Sequence, residues 1–196
     1  AAILGITLTK RHDMPMAGIP FHAADNYVTK LLDAGKKVAF CDQVETAQPG
    51  KLVKRAVTRI LTPGTALEDR QLEASHNHFL LAFDLSANGL RASWLDLSTG
   101  KFVLAAEENP HELLSVFASL APKEYLAPEG WAENISPEDG AHTFFEELNV
   151  VLEGATCTER AGYEFETTSG AREVMETLGV LNLEGFGISS EHPGLG

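Results

Sequence analysis

The sequence predicts an α/β protein in two units. A small mixed α/β unit covers residues 1–66 and a larger one covers 79–196, with a polar segment at 67–78 joining them. Three observations predict this. The first unit holds one helical stripe and two short β-rich runs, the second runs through three strands, a helix and a further strand, and the charge balance reverses between them. Residues 1–65 hold nine Lys and Arg against five Asp and Glu, a balance of +4, while the remainder holds six against 23, a balance of −17. Such asymmetry points to two modules with different partners.

In the first unit, Ala24, Tyr27, Val28, Leu31 and Leu32 recur at helical spacing, and Gly35 supplies the left-handed residue that ends the helix. Lys30, Lys36 and Lys37 lie at that end, where the helix dipole favours cations. KVAFCDQVE (37–45) reads as a largely buried strand, and LVKRAVTRILTP (52–63) as a second strand ended by Pro63 and Gly64. Period-two alternation places Arg55, Val57, Arg59 and Leu61 on one face, the two arginines about 13 Å apart. That spacing suits neighbouring phosphates, and it equally suits a charged edge strand protected against aggregation. Upstream, MPMAGIPFHAADNY (14–27) reads as an apolar loop entering the helix.

The segment LEDRQLEASHNH (67–78) is polar and lies where the charge changes sign, which marks a linker. After it FLLAFDL, LRASWLDL and KFVLAAEE form an antiparallel meander with short Gly-containing turns. PHELLSVFASL (110–120) opens with Pro and repeats Leu113, Leu114, Val116, Phe117 and Leu120 at helical spacing. EYLAP (124–128) then reads as a fourth strand, parallel because a helix separates it from the meander. EDGAHTFFEEL (138–148) and SGAREVMETLGV (169–180) are further helices, the latter with Ser169 at its N-cap. This order is that of a ribonuclease H-like sheet.

Composition bounds the function. The 44% apolar and 22% charged content is that of a globular domain, and no apolar run reaches the ~18 residues that span a bilayer. A cytoplasmic protein without a membrane partner is expected. Cys41 and Cys157 are too few for a disulfide framework and read as small buried hydrophobes. Asp84 and Asp96 end the first two strands of the meander, so a shared Mg²⁺ is conceivable. Both directly precede turn residues, however, where Asp commonly caps the backbone. His76 and His78 lack further ligands at zinc spacing, and Thr99-Gly100-Lys101-Phe102 lacks the frame of a phosphate-binding loop. No metal or catalytic residue is expected.

The succession LGITLTKR, PMAGIPFHAADNYVTKLLDAGKKVAFCDQVE and VKRAVTRILTPGT resembles, nearly without gaps, the mismatch-recognition domain of the MutS family of DNA mismatch repair proteins. LLAFDL, ASWLDLSTGKF, EYLAPE and GFGI resemble that family's connector domain, a ribonuclease H-like fold without nuclease activity. The resemblance implies a small mixed α/β mismatch-recognition domain followed by a connector domain. It implies that the apolar loop packs inside its own domain through Met16, Ile19 and Phe21. Lys10, Arg11, Arg55 and Arg59 lie in the part of the chain with positive balance and are expected to contact the backbone phosphates of mismatched double-stranded DNA; the resemblance implies this for Arg11 and Arg59, which match family positions close to the duplex, and it implies a MutL-type partner on the connector. In the family a Phe-x-Glu motif that reads the mismatch lies upstream of the position matching Ala1. The lever, clamp and ATPase domains, with ATP, Mg²⁺ and homodimer contacts, lie downstream of the connector. The chain, which lacks an initial Met and halts in HPGLG, is expected to be a piece of such a protein, without a cofactor of its own. A metal-dependent nuclease and a protein-interaction module that never touches DNA are the alternatives.

Overall fold

The computed structural model describes residues 1–46, 52–66, 77–86, 89–133 and 141–196. They divide into two compact units, Ala1–Ala66 and Leu67–Gly196. Most of the segment expected to link them, 67–76, lies outside the described residues.

The first unit opens with a hairpin, β1 (Thr9–Arg11) against β2 (Met14–Met16). His12 turns the chain at φ +56°, a conformation His tolerates better than most side chains. A 3-10 turn at Phe21–Ala23 leads into α1 (Ala24–Asp33). That helix ends as its sequence requires, with Gly35 at φ +70° and the N–H groups of Gly35 and Lys36 bonding the carbonyls of Leu32 and Leu31. The strands β3 (Val38–Gln43) and β4 (Arg55–Leu61) form a separate antiparallel pair.

The core of this unit is small. Val28, Leu32, Leu61 and Ala66 are buried, with Val38 and Phe40 packed against them. The helical stripe is therefore narrower than its periodicity suggests: Leu31 and Tyr27 are only half-buried. Strand β3 is not largely buried either, because α1 covers one face of a two-stranded ribbon and leaves Ala39, Cys41, Asp42 and Gln43 exposed. The expectation for the apolar loop also fails. Met14 and Met16 belong to β2, and Met16, Ile19 and Phe21 stand outside the core that α1, β3 and β4 build, Phe21 at 89% exposure.

The second unit is built on β5 (Phe79–Ser86), β6 (Gly89–Asp96), β7 (Lys101–Glu107), β8 (Glu124–Pro128) and β9 (Thr156–Arg160). They form one sheet in the order β7-β6-β5-β8-β9. The meander β5-β6-β7 is antiparallel, and β8 and β9 add in parallel, which is the ribonuclease H-like arrangement. Helix α2 (His111–Leu120) makes the crossover to β8, and α3 (Ala141–Val151) the crossover to β9.

Both helices cover one face. Phe117 of α2 and Phe144 and Leu148 of α3 meet Leu81, Phe83, Tyr125 and Ala127 of the sheet there. Phe83 stacks on Tyr125 at 5.6 Å and meets Trp131 in a T-shaped contact at 5.1 Å. Each fully buried Leu or Phe here contributes ~1.5–3 kcal/mol. On β7, Ala105 joins this core while its neighbour Leu104 points to the other face, where it packs with Leu183, Leu195 and α4 (Thr167–Leu178).

Two features differ from expectation. Strand β9 was not anticipated; as an edge strand with alternate residues exposed, TCTER carries too little apolar signal. Helix α4 starts earlier than Ser169, with Glu166 at its N-cap, because a 3-10 turn at Gly162–Phe165 buries Phe165 and delivers the chain three residues sooner. Gly170 is explained by the same region: a Cβ there would lie 1.5 Å from the carbonyl oxygen of Leu195. Among the described residues no helix is long and apolar enough to cross a membrane.

Because Leu32 is buried and Leu31 only partly so, Leu32→Ala is expected to destabilise the first unit by ~2–5 kcal/mol, and Leu31→Ala by clearly less. Hydrogen exchange of the α1 and β3 amides measures the difference. Equal loss of protection in the two variants would show the helix face to be misassigned.

Candidate nucleic-acid interface

The four cations singled out by sequence lie on the two hairpins of the first unit, and all are exposed. Lys10 stands opposite Pro15 and Arg11 opposite Met14 in the β1–β2 pair. As neighbours on a strand they project to opposite faces. Thr9 fastens the base of this hairpin, its hydroxyl donating to the Met16 carbonyl at 2.9 Å.

Arg55 and Arg59 do not share a face. Phe40 pairs with Arg59 but the next residue, Cys41, pairs with Val57, so Thr58 is an extra residue in β4. A bulge of this kind resets the alternation and turns the residues beyond it over. Arg59 therefore falls beside Phe40, its guanidinium carbon 4.3 Å from the ring centroid, whereas Arg55 pairs with Gln43 on the opposite side. The Thr58 hydroxyl donates to the Asp42 carboxylate and secures the bulge. The guanidinium thus lies within cation–π distance of the Phe40 ring, which favours its position beside β3.

The acidic residues of the second unit are placed for structure. Asp84 pairs across the strands with Arg91 and forms an ion pair with it. Asp96 lies opposite Phe79, at the other end of the same hairpin, five residues or ~17 Å along the strand from Asp84. The two carboxylates cannot hold one ion. Asp96 is 3% exposed and caps the β6–β7 turn, accepting from the Ser98 hydroxyl (2.7 Å) and N–H (3.0 Å), the Thr99 hydroxyl (2.8 Å) and the His78 N–H (3.2 Å). Burial raises its pKa, but these hydrogen bonds outweigh burial and hold it below the ordinary carboxylate value. His76, the other half of the His-x-His pair, lies outside the described residues.

Sequence reasoning missed Glu124, 2% exposed at the start of β8, whose carboxylate accepts from the Thr158 hydroxyl at 2.5 Å. Its only signal was an acid next to the apolar run YLA. Cys157 is exposed rather than buried, because its strand is at the sheet edge; its thiol bonds the hydroxyl of Tyr125. Burial and then this bond raise the tyrosine's pKa. Among the described residues no three metal-ligating side chains come together.

A small unit of two antiparallel strand pairs with exposed cations, followed by a unit with a ribonuclease H-like sheet in which Asp84 is held in an ion pair and Asp96 in a turn, defines a bimodular α/β chain. The chain belongs to the MutS family: residues 1–70 match MutS domain I and residues 78–196 match MutS domain II. It is 37% identical over 193 residues to the DNA mismatch repair protein MutS of Phocaeicola vulgatus, covering 95% of this chain and 21% of that protein. Similar relatives carry the same name in Bacteroides fragilis (36% identity, 96% and 21% coverage) and Syntrophobacter fumaroxidans (36%, 100% and 22%). The chain thus spans about 21% of the length of the relatives it matches.

The lowered Asp96 pKa sets a pH dependence. Its stabilisation is fully present above the unfolded value of about 3.9 and is lost as pH falls through the lower folded value. Unfolding of the second unit followed by tryptophan fluorescence is expected to show an acid limb that Asp96→Asn flattens, with lower stability at pH 7. An unchanged acid limb in the variant would contradict the capping role.

Proposed function

We propose that the chain is the DNA-gripping and relay portion of a mismatch repair protein. The first unit contacts the phosphates of duplex DNA through Lys10, Arg11, Arg55 and Arg59. The second links that event to the ATPase and to a MutL-type partner of the whole protein. The single observation that carries this reading is the match to MutS domain I in the stretch of the chain with a positive balance, where Lys10, Arg11, Arg55 and Arg59 stand exposed.

Phosphate contacts supply affinity without sequence information. Mismatch discrimination is assigned to the Phe-x-Glu motif of the family, outside these residues, so matched and mismatched duplexes are bound alike. No catalysis, metal or nucleotide is assigned to the chain; ATP and Mg²⁺ belong to the family's ATPase domain. A cytoplasmic location is part of the same reading. The separation of Asp84 from Asp96 disfavours the nuclease alternative.

Binding is expected to be weak, in roughly the 10⁻⁴–10⁻⁶ M range of non-specific complexes or poorer, since the −17 balance of the second unit opposes the duplex. A salt titration on a G·T duplex and its matched control tests it. Arg11→Ala/Arg59→Ala is expected to flatten the log–log salt slope by about 0.9 per lost phosphate contact, equally on both duplexes. An unchanged slope, or a clear preference for the mismatch, would overturn the assignment.

A further inference from the structure

An open groove of about 470 Å³ runs between α2 and α3 on the outer surface of the second unit. Its lining is apolar. Leu114, Ser115 and Ala118 of α2 face Val150 and Val151 of α3, and Val150 is 72% exposed. Ser115 and Ala118 are small, so the floor is shallow enough for a third backbone to approach. A single hydroxyl, on Ser115, is the polar group of that floor, which gives a polar small molecule little to recognise.

The walls carry one sign of charge. Glu146 and Glu147 of α3 line the groove, and Glu112 lies one turn before Ser115 on α2. Between Lys101 and Lys123, and between Lys123 and Arg160, the sequence holds no Lys or Arg, so neither helix carries one. His111 meets Glu147, its Nδ1 2.9 Å from the carboxylate, and is the basic group described on α2.

We propose that this groove docks a short cationic amphipathic helix of a partner protein. The apolar floor between two helices takes anchors spaced at i, i+3, i+4 and i+7, the mode by which helices enter grooves. The acidic walls select Lys or Arg beside those anchors and repel nucleic acid. α2 is 10 residues, or ~15 Å, long, which matches two to three turns of an occupant. The inference uses only the second unit and stands independently of DNA contact by the first.

The test uses a fluorescein-labelled helical peptide of about four turns, with Leu at the anchor positions and Lys flanking them, and a second peptide with Glu in place of Lys. Because the chain carries a net charge of −13, a cationic peptide is attracted at many places; the decisive variant therefore changes no charge. Ala118→Trp fills the groove from an exposed position and is expected to weaken the Lys peptide about tenfold or more, as blocking an anchor pocket does. Val150→Ser, also exposed, is expected to weaken it in the same direction. Amide shifts on binding are expected at Leu114–Ala118 and Val150–Val151, with the thermal midpoint of both variants retained. Unaltered binding to Ala118→Trp, shifts elsewhere on the unit, or equal binding of the Glu peptide would overturn the proposal. So would a concentration-dependent dimer that Ala118→Trp abolishes, which would assign the groove to a second copy of this chain.

Discussion

Strand β5 is the element on which the second unit depends. It pairs antiparallel with β6 along eight residues and parallel with β8, so it lies at the middle of the sheet, and Leu81 and Phe83 are excluded from water. Phe83 in particular touches Phe117 of α2, Tyr125 of β8 and Trp131 beyond it. One aromatic ring thereby couples a crossover helix, the parallel strand and the following turn. A parallel neighbour needs such a crossover, and the crossover is stable only if its helix buries a face on the sheet it spans.

The same packing disposes of the carboxylates. Asp84, on the central strand, is answered by Arg91 of the neighbouring one, and Asp96 is spent on four donors of a tight turn. A ribonuclease H-like sheet is thus present with Asp84 and Asp96 fixed by local structure and far apart. The first unit is built differently. Among the described residues its core is four buried side chains and their two neighbours, and Lys10, Arg11, Arg55 and Arg59 stand exposed on paired strands. Binding chemistry on such a unit resides in exposed side chains, and burial is left to one helix face.

Most of the second unit was legible because its signals are local. Gly-containing turns separate the meander strands, and helical periodicity between two β-rich runs dictates a parallel return. Strand β9 was not legible, since TCTER forms pairs only through the exposed edge of β8 and has no apolar alternation of its own. The start of α4 was hidden for a similar reason, the burial of Phe165 deciding where the helix begins. In the first unit the bulge at Thr58 escaped detection: alternation assumes an unbroken register, and one inserted residue reverses which cations are neighbours. The exposed Met16, Ile19 and Phe21 show the limit of hydrophobicity as a burial signal when the available core is small.

The proposed division of labour has nucleic acid met by the cationic strand pairs and not by the acidic sheet. Hydrogen exchange of the whole chain with and without duplex DNA at low salt tests it most directly. Slower exchange confined to residues 9–16 and 55–61 is expected, with 79–86, 89–107 and 111–128 unchanged. Protection centred on the second unit, or none in the hairpins at saturating duplex, would contradict it.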